Sequence, residues 1–336
     1  MNRKGATIKD IAKLAGVSIG TVSRIINKAS YGYSQETYEK VQQVIKETGY
    51  TPNRVARSLI TKRSYTIGYM VDDLSNPFFP EIAKGINQVA NEHGFYLLLI
   101  EKGDGEESVK EKLQMLYEFG IDGVIMGEDY LSDNSTDYLL RTGLPFVVTD
   151  ANTMKSCFYH MSIDNYNAAK RMTSYLISKG HRKIAVITGP PESKSSMLRL
   201  NGYKQVLADS GLSWDGLIAG GDFSEKGGQR AMEALENKDY TAVFAFNDLM
   251  AIGVCRYLQS RGKEVPGDIS VAGFDDISLA SLYYPAITTM RQPLFEIGQG
   301  AMELLLKAMA GEEIAGKKYE LTLIERESVA DITADK

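Results

Sequence analysis

Cysteine and histidine are scarce in this chain of 336 residues, and no long apolar run interrupts it. Two cysteines, Cys157 and Cys255, are too few for a disulfide framework and stand in no CxxC pair, so both read as free thiols in packing positions. The three histidines, His93, His160 and His181, are scattered, and no cluster has the ligand spacing of a metal site. No stretch approaches the roughly 20 apolar residues that cross a bilayer. The N-terminus MNRKGATIKD is polar where a secretory signal carries an apolar core, which predicts a cytoplasmic protein. Signatures of catalysis are also missing: no strand is followed by GxGxxG, neither a P-loop nor a GxSxG motif occurs, and Asp275 and Asp276 have no companion histidine. Neither an enzyme nor a cofactor is expected.

What the chain does have is a lopsided charge. Residues 1–64 carry 12 Lys and Arg against 4 Asp and Glu, a surplus of +8, while the remainder holds 26 against 39, which makes the total -5. A small basic head on an acidic body suits a polyanion touched by the head alone, because neutralising phosphates favours the head and the body repels them. A solvated basic helical domain would show the same charge.

Thr7 and Asp10 have the spacing of a capping box, and Ile8, Ile11, Ala12, Leu14 and Ala15 follow as a helical apolar stripe that Gly16 stops. Val17 and Ser18 then read as staple and N-cap of a second helix over about Ile19 to Asn27, with Val22, Ile25 and Ile26 inward. Two short helices joined by a tight glycine-containing turn form a helix-turn-helix. A third helix starts after Ser34 and ends at Gly49. The outer face of the second helix, with Ile19, Gly20, Thr21, Ser23, Arg24 and Asn27, is mostly small or polar and fits a groove.

The run TIKDIAKLAGVSIGTVSRIINKAS, with TPNRVARSLITKRS after it, resembles the head of the lactose and galactose repressor family (LacI/GalR), and the likeness extends over nearly the whole chain. The resemblance implies that the second helix enters the major groove with Ile19, Gly20 and Arg24 as base readers, Arg24 gripping a guanine. It implies phosphate contacts from the amides around Thr7 and Ser18, the hydroxyls of Thr21 and Ser23, and the Asn27 amide. It also implies a hinge helix from Asn53, too short to persist alone, that places Val55 and Ala56 against a partner hinge and wedges Leu59 into the minor groove. A homodimer on a pseudo-palindromic double-stranded operator follows, since one head reads a half-site. The loop Ser30 to Tyr33 is longer than the family's, with Tyr33 where Val is common.

From Tyr65 onward apolar runs alternate with amphipathic stretches, YTIGYMV through PFVVTD in a first series and HMSID through ISVAGF in a second, which indicates two doubly wound parallel-sheet lobes. Leu294 to Ala308 reads as a helix and Tyr319 to Ile324 as one strand, and the family resemblance implies that both return to the first lobe. The expected architecture is a small all-α helix-turn-helix head on an α/β body resembling periplasmic sugar-binding proteins. Residues 1–50 form the head, 51–63 the hinge and 64–336 the body, with one lobe about 64–162 and 293–325 and the other about 163–292 and 326–336.

Ligands of open parallel sheets sit at the carboxyl ends of the strands. Polar residues gather there: Asp72, Asp73, Ser75 and Asn76, then Asp150, then Asn247 and Asp248, then Asp275 and Asp276, then Gln292. Each alone could be a helix N-cap. The resemblance to ribose-type repressors, carried by NPFF, RLNGY, FND and GFDD, implies Arg199 and Asp275 as anchors and Asn76, Asp150, Asn247 and Gln292 as hydroxyl ligands. Phe78, Phe79 and Phe223 would be the walls. Ala151 stands where ribose binders commonly place Arg, so a saccharide or related polyol is the expected effector, ribose being one candidate.

Overall fold

A computed structural model describes residues 6–26, 31–51, 63–103, 105–127, 131–150, 159–313 and 316–333. Contacts divide the chain into two compact units, Met1–Ser64 and Tyr65–Lys336.

The first unit holds helices α1 (Ile8–Ala15), α2 (Ile19–Ile26) and α3 (Gln35–Thr48). The Thr7 and Asp10 side chains complete the capping box that starts α1, and Gly16 ends it in the left-handed region at φ 67. Ser34 caps α3 by accepting from the Thr37 amide. The small core comes from all three helices: Ile11, Ala12, Ala15, Val22, Ile25 and Val41 are buried.

In the second unit the first lobe contains β1 (Thr66–Val71), α4 (Phe78–Glu92), β2 (Tyr96–Glu101), α5 (Gly105–Glu118), β3 (Gly123–Gly127), α6 (Asp133–Thr142), β4 (Phe146–Thr149) and β5 (His160–Ile163). The second lobe follows with α7 (Asn165–Ser178), β6 (Ile184–Thr188), α8 (Lys194–Asp209), β7 (Ile218–Gly220), α9 (Glu225–Ala234), β8 (Ala242–Ala245), α10 (Asp248–Ser260), β9 (Ser270–Ala272) and α11 (Ser278–Leu282). The chain ends through β10 (Thr289–Arg291), α12 (Leu294–Ala310), β11 (Gly316–Tyr319) and β12 (Thr322–Ile324). The parallel sheets run β11-β5-β4-β3-β1-β2 and β7-β6-β8-β9, so the strand order reverses between β1 and β3 in one and between β6 and β8 in the other. The interior strands are apolar on both faces, as sheets covered on both sides by helices require. In the first lobe α12 lies against α4 so closely that a Cβ on Gly298 would come within 2.0 Å of the Ile82 carbonyl oxygen.

Two sequence readings need correction. The segment HMSI, grouped above with the second series, falls on the first-lobe side of the expected boundary near residue 162: as β5 it pairs with β4 and β11 in the first sheet, and the chain crosses at Asp164. Alternation identifies a strand without saying which sheet it joins. Tyr319 to Ile324 is also not one strand. Tyr319 belongs to the first sheet and is held by its hydroxyl to the Glu296 carbonyl, whereas the Leu321 carbonyl accepts from Arg171 and β12 then pairs antiparallel with β10. Cys255 is a buried free cysteine in α10, as expected of a packing residue; Cys157 lies outside the described residues.

Candidate functional sites

On the head, Ser18, Ile19 and Gly20 are exposed, and Thr21, Ser23 and Arg24 are half-buried beside them. Ile19 leaves 45% of its surface in water. The Ser18 hydroxyl caps α2, accepting from the Thr21 amide at 3.0 Å and lying 2.9 Å from the Thr21 hydroxyl. Thr7 is likewise engaged, its amide and hydroxyl both donating to Asp10 Oδ2 at 2.8 and 2.7 Å. These bonds hold the Asp10 carboxyl below the usual carboxylate range. Arg24 does not point freely outward: its Nη1 donates to the Gly32 carbonyl at 3.2 Å. Gly32 is left-handed at φ +86, and a Cβ there would strike Nη1 at 2.1 Å, so the glycine makes the seat for the guanidinium. The expected sites at Asn27, Asn53, Val55, Ala56 and Leu59 lie outside the described residues.

In the body a cavity of about 290 Å³ opens at the carboxyl ends of the strands of both lobes. It lies where the strand order of each sheet reverses: Asp72, Asp73 and Asn76 follow β1, Gly127 ends β3, Pro190 and Glu192 follow β6, and Asn247 follows β8. Crevices form there because successive crossovers leave the sheet in opposite directions. The lining includes Asn76, Phe78, Phe79, Asp150, Arg199, Phe223, Asn247 and Asp275. Gln292 is not among the lining residues; it stands behind Asp275 and donates from Nε2 to Oδ1 at 2.7 Å, orienting the carboxylate.

Arg199 is buried and held on several sides. Its Nε donates to Asn165 Oδ1 at 2.8 Å, its Nη1 donates to the Phe246 carbonyl, its guanidinium stacks 3.7 Å from the Phe274 ring centre, and Nη2 approaches Asp275 Oδ1 at 3.9 Å. Burial pushes the Asp275 carboxyl up to about 7, opposed by the Arg199 charge and the Gln292 hydrogen bond. Asp248, buried beneath, is pushed up by burial and by the Asp275 charge; its oxygens accept from the Thr289 hydroxyl at 2.6 Å and the Ile277 amide at 2.9 Å. Asp276 turns away from the cavity to pair with Arg291 and Arg326.

Three lining residues hold left-handed backbone without being glycine: Asp150 at φ 56, Phe223 at φ 64 and Asp275 at φ 111. Such conformations cost of order 1–3 kcal/mol and persist where the surroundings impose them. For Phe223 the constraint is visible. Its carbonyl accepts from Asn247 Nδ2 at 2.8 Å, and its ring lies over Gly189, where a Cβ would fall 2.1 Å from the ring edge. Asn247 Oδ1 also caps α10 through the Met250 amide, so this residue is a helix cap and also lines the cavity. Phe78 and Phe79 meet edge to face at 5.1 Å, and Asn76 Oδ1 accepts from the Phe78 amide. Sequence reasoning missed Asn165, Lys102, Glu192 and Asp222. Lys102 pairs with Asp72 at 2.7 Å in the lining. Asp222 stands two residues after β7, directly before Phe223, and that place at a strand end was its readable sign.

Residues 7–53 match the model of bacterial regulatory proteins of the lacI family, and residues 173–329 match a periplasmic binding protein-like domain. The ribose operon repressor of Escherichia coli (strain K12) is 36% identical over 329 residues, 96% of this chain and 99% of that one. The chain belongs to the LacI family. It is therefore a DNA-binding transcription regulator and not an enzyme. The lac repressor dimer bound to operator and the anti-inducer ONPF superposes with a TM-score of 0.86 at 29% identity, covering 97% of this chain and 100% of that one. A LacI family regulator from Enterococcus faecium with bound ribose gives 0.74 at 29% identity, covering 80% of this chain and 100% of the other.

Proposed function

We propose that this LacI family member is a repressor that binds a pseudo-palindromic operator as a homodimer, and that an uncharged saccharide or polyol in the cleft controls its operator affinity. The observation that carries the effector reading is the cavity at both strand-order reversals. Its lining pairs Arg199 and Asp275 with aromatic walls from Phe78, Phe79 and Phe223. Carboxylates and a guanidinium bind vicinal hydroxyls in pairs, and aromatic faces cover the apolar side of a sugar ring. Asp150 and Asn76 add hydroxyl ligands from the first lobe, while Asn247 and Gln292 shape the walls and orient Asp275. The lining carries Asp72, Asp73, Asp150, Glu192, Asp222 and Asp275 against Lys102 and Arg199, an excess of negative charge that disfavours sugar phosphates. The ribose named for the Enterococcus faecium regulator and for the E. coli operon supports a saccharide.

In this reading residues 1–50 read the operator through Ile19, Gly20 and Arg24, and residues 51–63 carry the hinge with Leu59 as wedge. Residues 64–336 bind effector and dimerise in the cytoplasm; among the described residues no helix is long and apolar enough to cross a membrane. Effector and operator then change each other's affinity by one common factor. A thermal-shift screen with pentoses, hexoses, polyols, sugar phosphates and purines tests this. A ligand at about 100 times its Kd adds about 2.7 kcal/mol to the unit that binds it. A neutral sugar that raises the melting temperature and alters operator affinity supports the proposal, whereas a response to phosphates or purines alone overturns the saccharide reading and leaves DNA binding standing.

A further inference from the structure

Asn165 is 1% exposed and lies outside every motif noted in the sequence, yet its side chain joins a cleft residue of one lobe to a cleft residue of the other. Its Nδ2 donates to Asp150 Oδ1 at 2.8 Å, and its Oδ1 accepts from Arg199 Nε at 2.8 Å. Asp150 follows β4 of the first sheet; Arg199 is carried by α8 of the second lobe. Asn165 is the first residue of α7, directly after the chain crosses from β5, and α7 is bound tightly to α8: a Cβ on Gly202 would come within 2.3 Å of the Tyr166 carbonyl oxygen. Its amide therefore moves with Arg199 and reaches back to Asp150, bridging the lobes close to the crossover about which they would turn.

We infer that Asn165 is a positioning residue of the effector cleft, setting the placement of Asp150 against Arg199 so that both lobes grip one ligand. An amide suits the task because it presents one donor and one acceptor on opposite sides, matching a carboxylate and a guanidinium at once. A carboxylate in its place would satisfy Arg199 and repel Asp150; an apolar side chain would leave both charged groups short of a partner in a buried site. The inference rests on the reading of the cavity as the effector site.

Asn165→Asp tests it, because it preserves side-chain size and the acceptor facing Arg199 while replacing the donor facing Asp150 by an oxygen. With D-ribose as first probe, and otherwise the sugar giving the largest shift in wild-type protein, affinity measured by calorimetry should fall about tenfold to hundredfold, the weight of a hydrogen bond to a charged group. The effector-driven change in operator affinity should weaken with it. Adding Asp150→Asn restores a donor across the same gap, so the double variant should bind within about fivefold of Asp150→Asn alone. A merely structural asparagine would show no such rescue. Wild-type affinity in Asn165→Asp, or a folded double variant more than about fivefold weaker than Asp150→Asn, overturns the inference. If Asn165→Asp alone does not fold, the double variant carries the test. Absence of any sugar binding by the wild-type protein defeats the effector reading itself, and this inference with it.

Discussion

The proposed operator-reading face and the proposed effector cleft hold their polar groups in opposite ways. On the head, Thr7 is bonded to Asp10 and Ser18 to Thr21, partners three residues away on exposed turns. In the cleft Arg199 bonds to Asn165 and Phe246, and beneath it Thr289 bonds to Asp248, across 34, 47 and 41 residues of chain, all buried. Exposed local bonds exchange with water and phosphate at little cost, which suits a surface that must fit a long polyanion. Buried long-range bonds cost much to rearrange and keep a ligand site organised before the ligand arrives. The strained backbone of Asp150, Phe223 and Asp275 belongs to the same preorganisation.

Arg199→Ala should break the cleft side of this contrast hardest. It strands the buried Asn165 and Phe246 oxygens that accept from the guanidinium, and urea unfolding of the body should show a loss of about 1–3 kcal/mol with saccharide binding abolished. An Arg199→Ala protein as stable as wild type would mean that water replaces the guanidinium at both oxygens and that the cleft is not organised by buried bonds. Arg24→Ala should act only on the other side. Discrimination at one base pair of the operator should relax by about 1–3 kcal/mol in competition binding, while the effector-induced thermal shift stays unchanged. A smaller effect comes from pH. Below about 7 Asp275 holds its proton and loses acceptor strength, so sugar affinity should rise about tenfold from pH 6 to pH 8. The folded value lies above the unfolded one, so the unliganded body should lose stability as pH rises over that interval, and affinity and stability should move in opposite directions. A parallel change would assign the titration to another group.

Much of the head was legible because its determinants are local. The Thr7–Asp10 spacing, the stops at Gly16 and Gly49 and the apolar stripe of α1 act within one or two turns. The seat of Arg24 against Gly32 was not legible, since it depends on how the loop before α3 folds back on α2. In the body, alternation of strands and helices placed the cleft at the strand ends, and eight of the nine residues that the family resemblance implied lie in its lining. The orientation of those residues escaped the sequence: Gln292 supports Asp275 from behind, and Asn247 spends its amide on Phe223 and Met250.

Periodicity, capping spacing and charge distribution determined, from the sequence alone, a basic helix-turn-helix ahead of an acidic two-lobed α/β body. Those properties arise from residues within a few positions of one another or from sums over long segments. Only the tertiary structure decided that β5 stays in the first sheet, that Tyr319 and Thr322 part company, and that Asn165 joins Asp150 to Arg199. Each of these depends on which distant segments compete for the same buried hydrogen bonds, a contest settled when the lobes pack and polar groups leave water together.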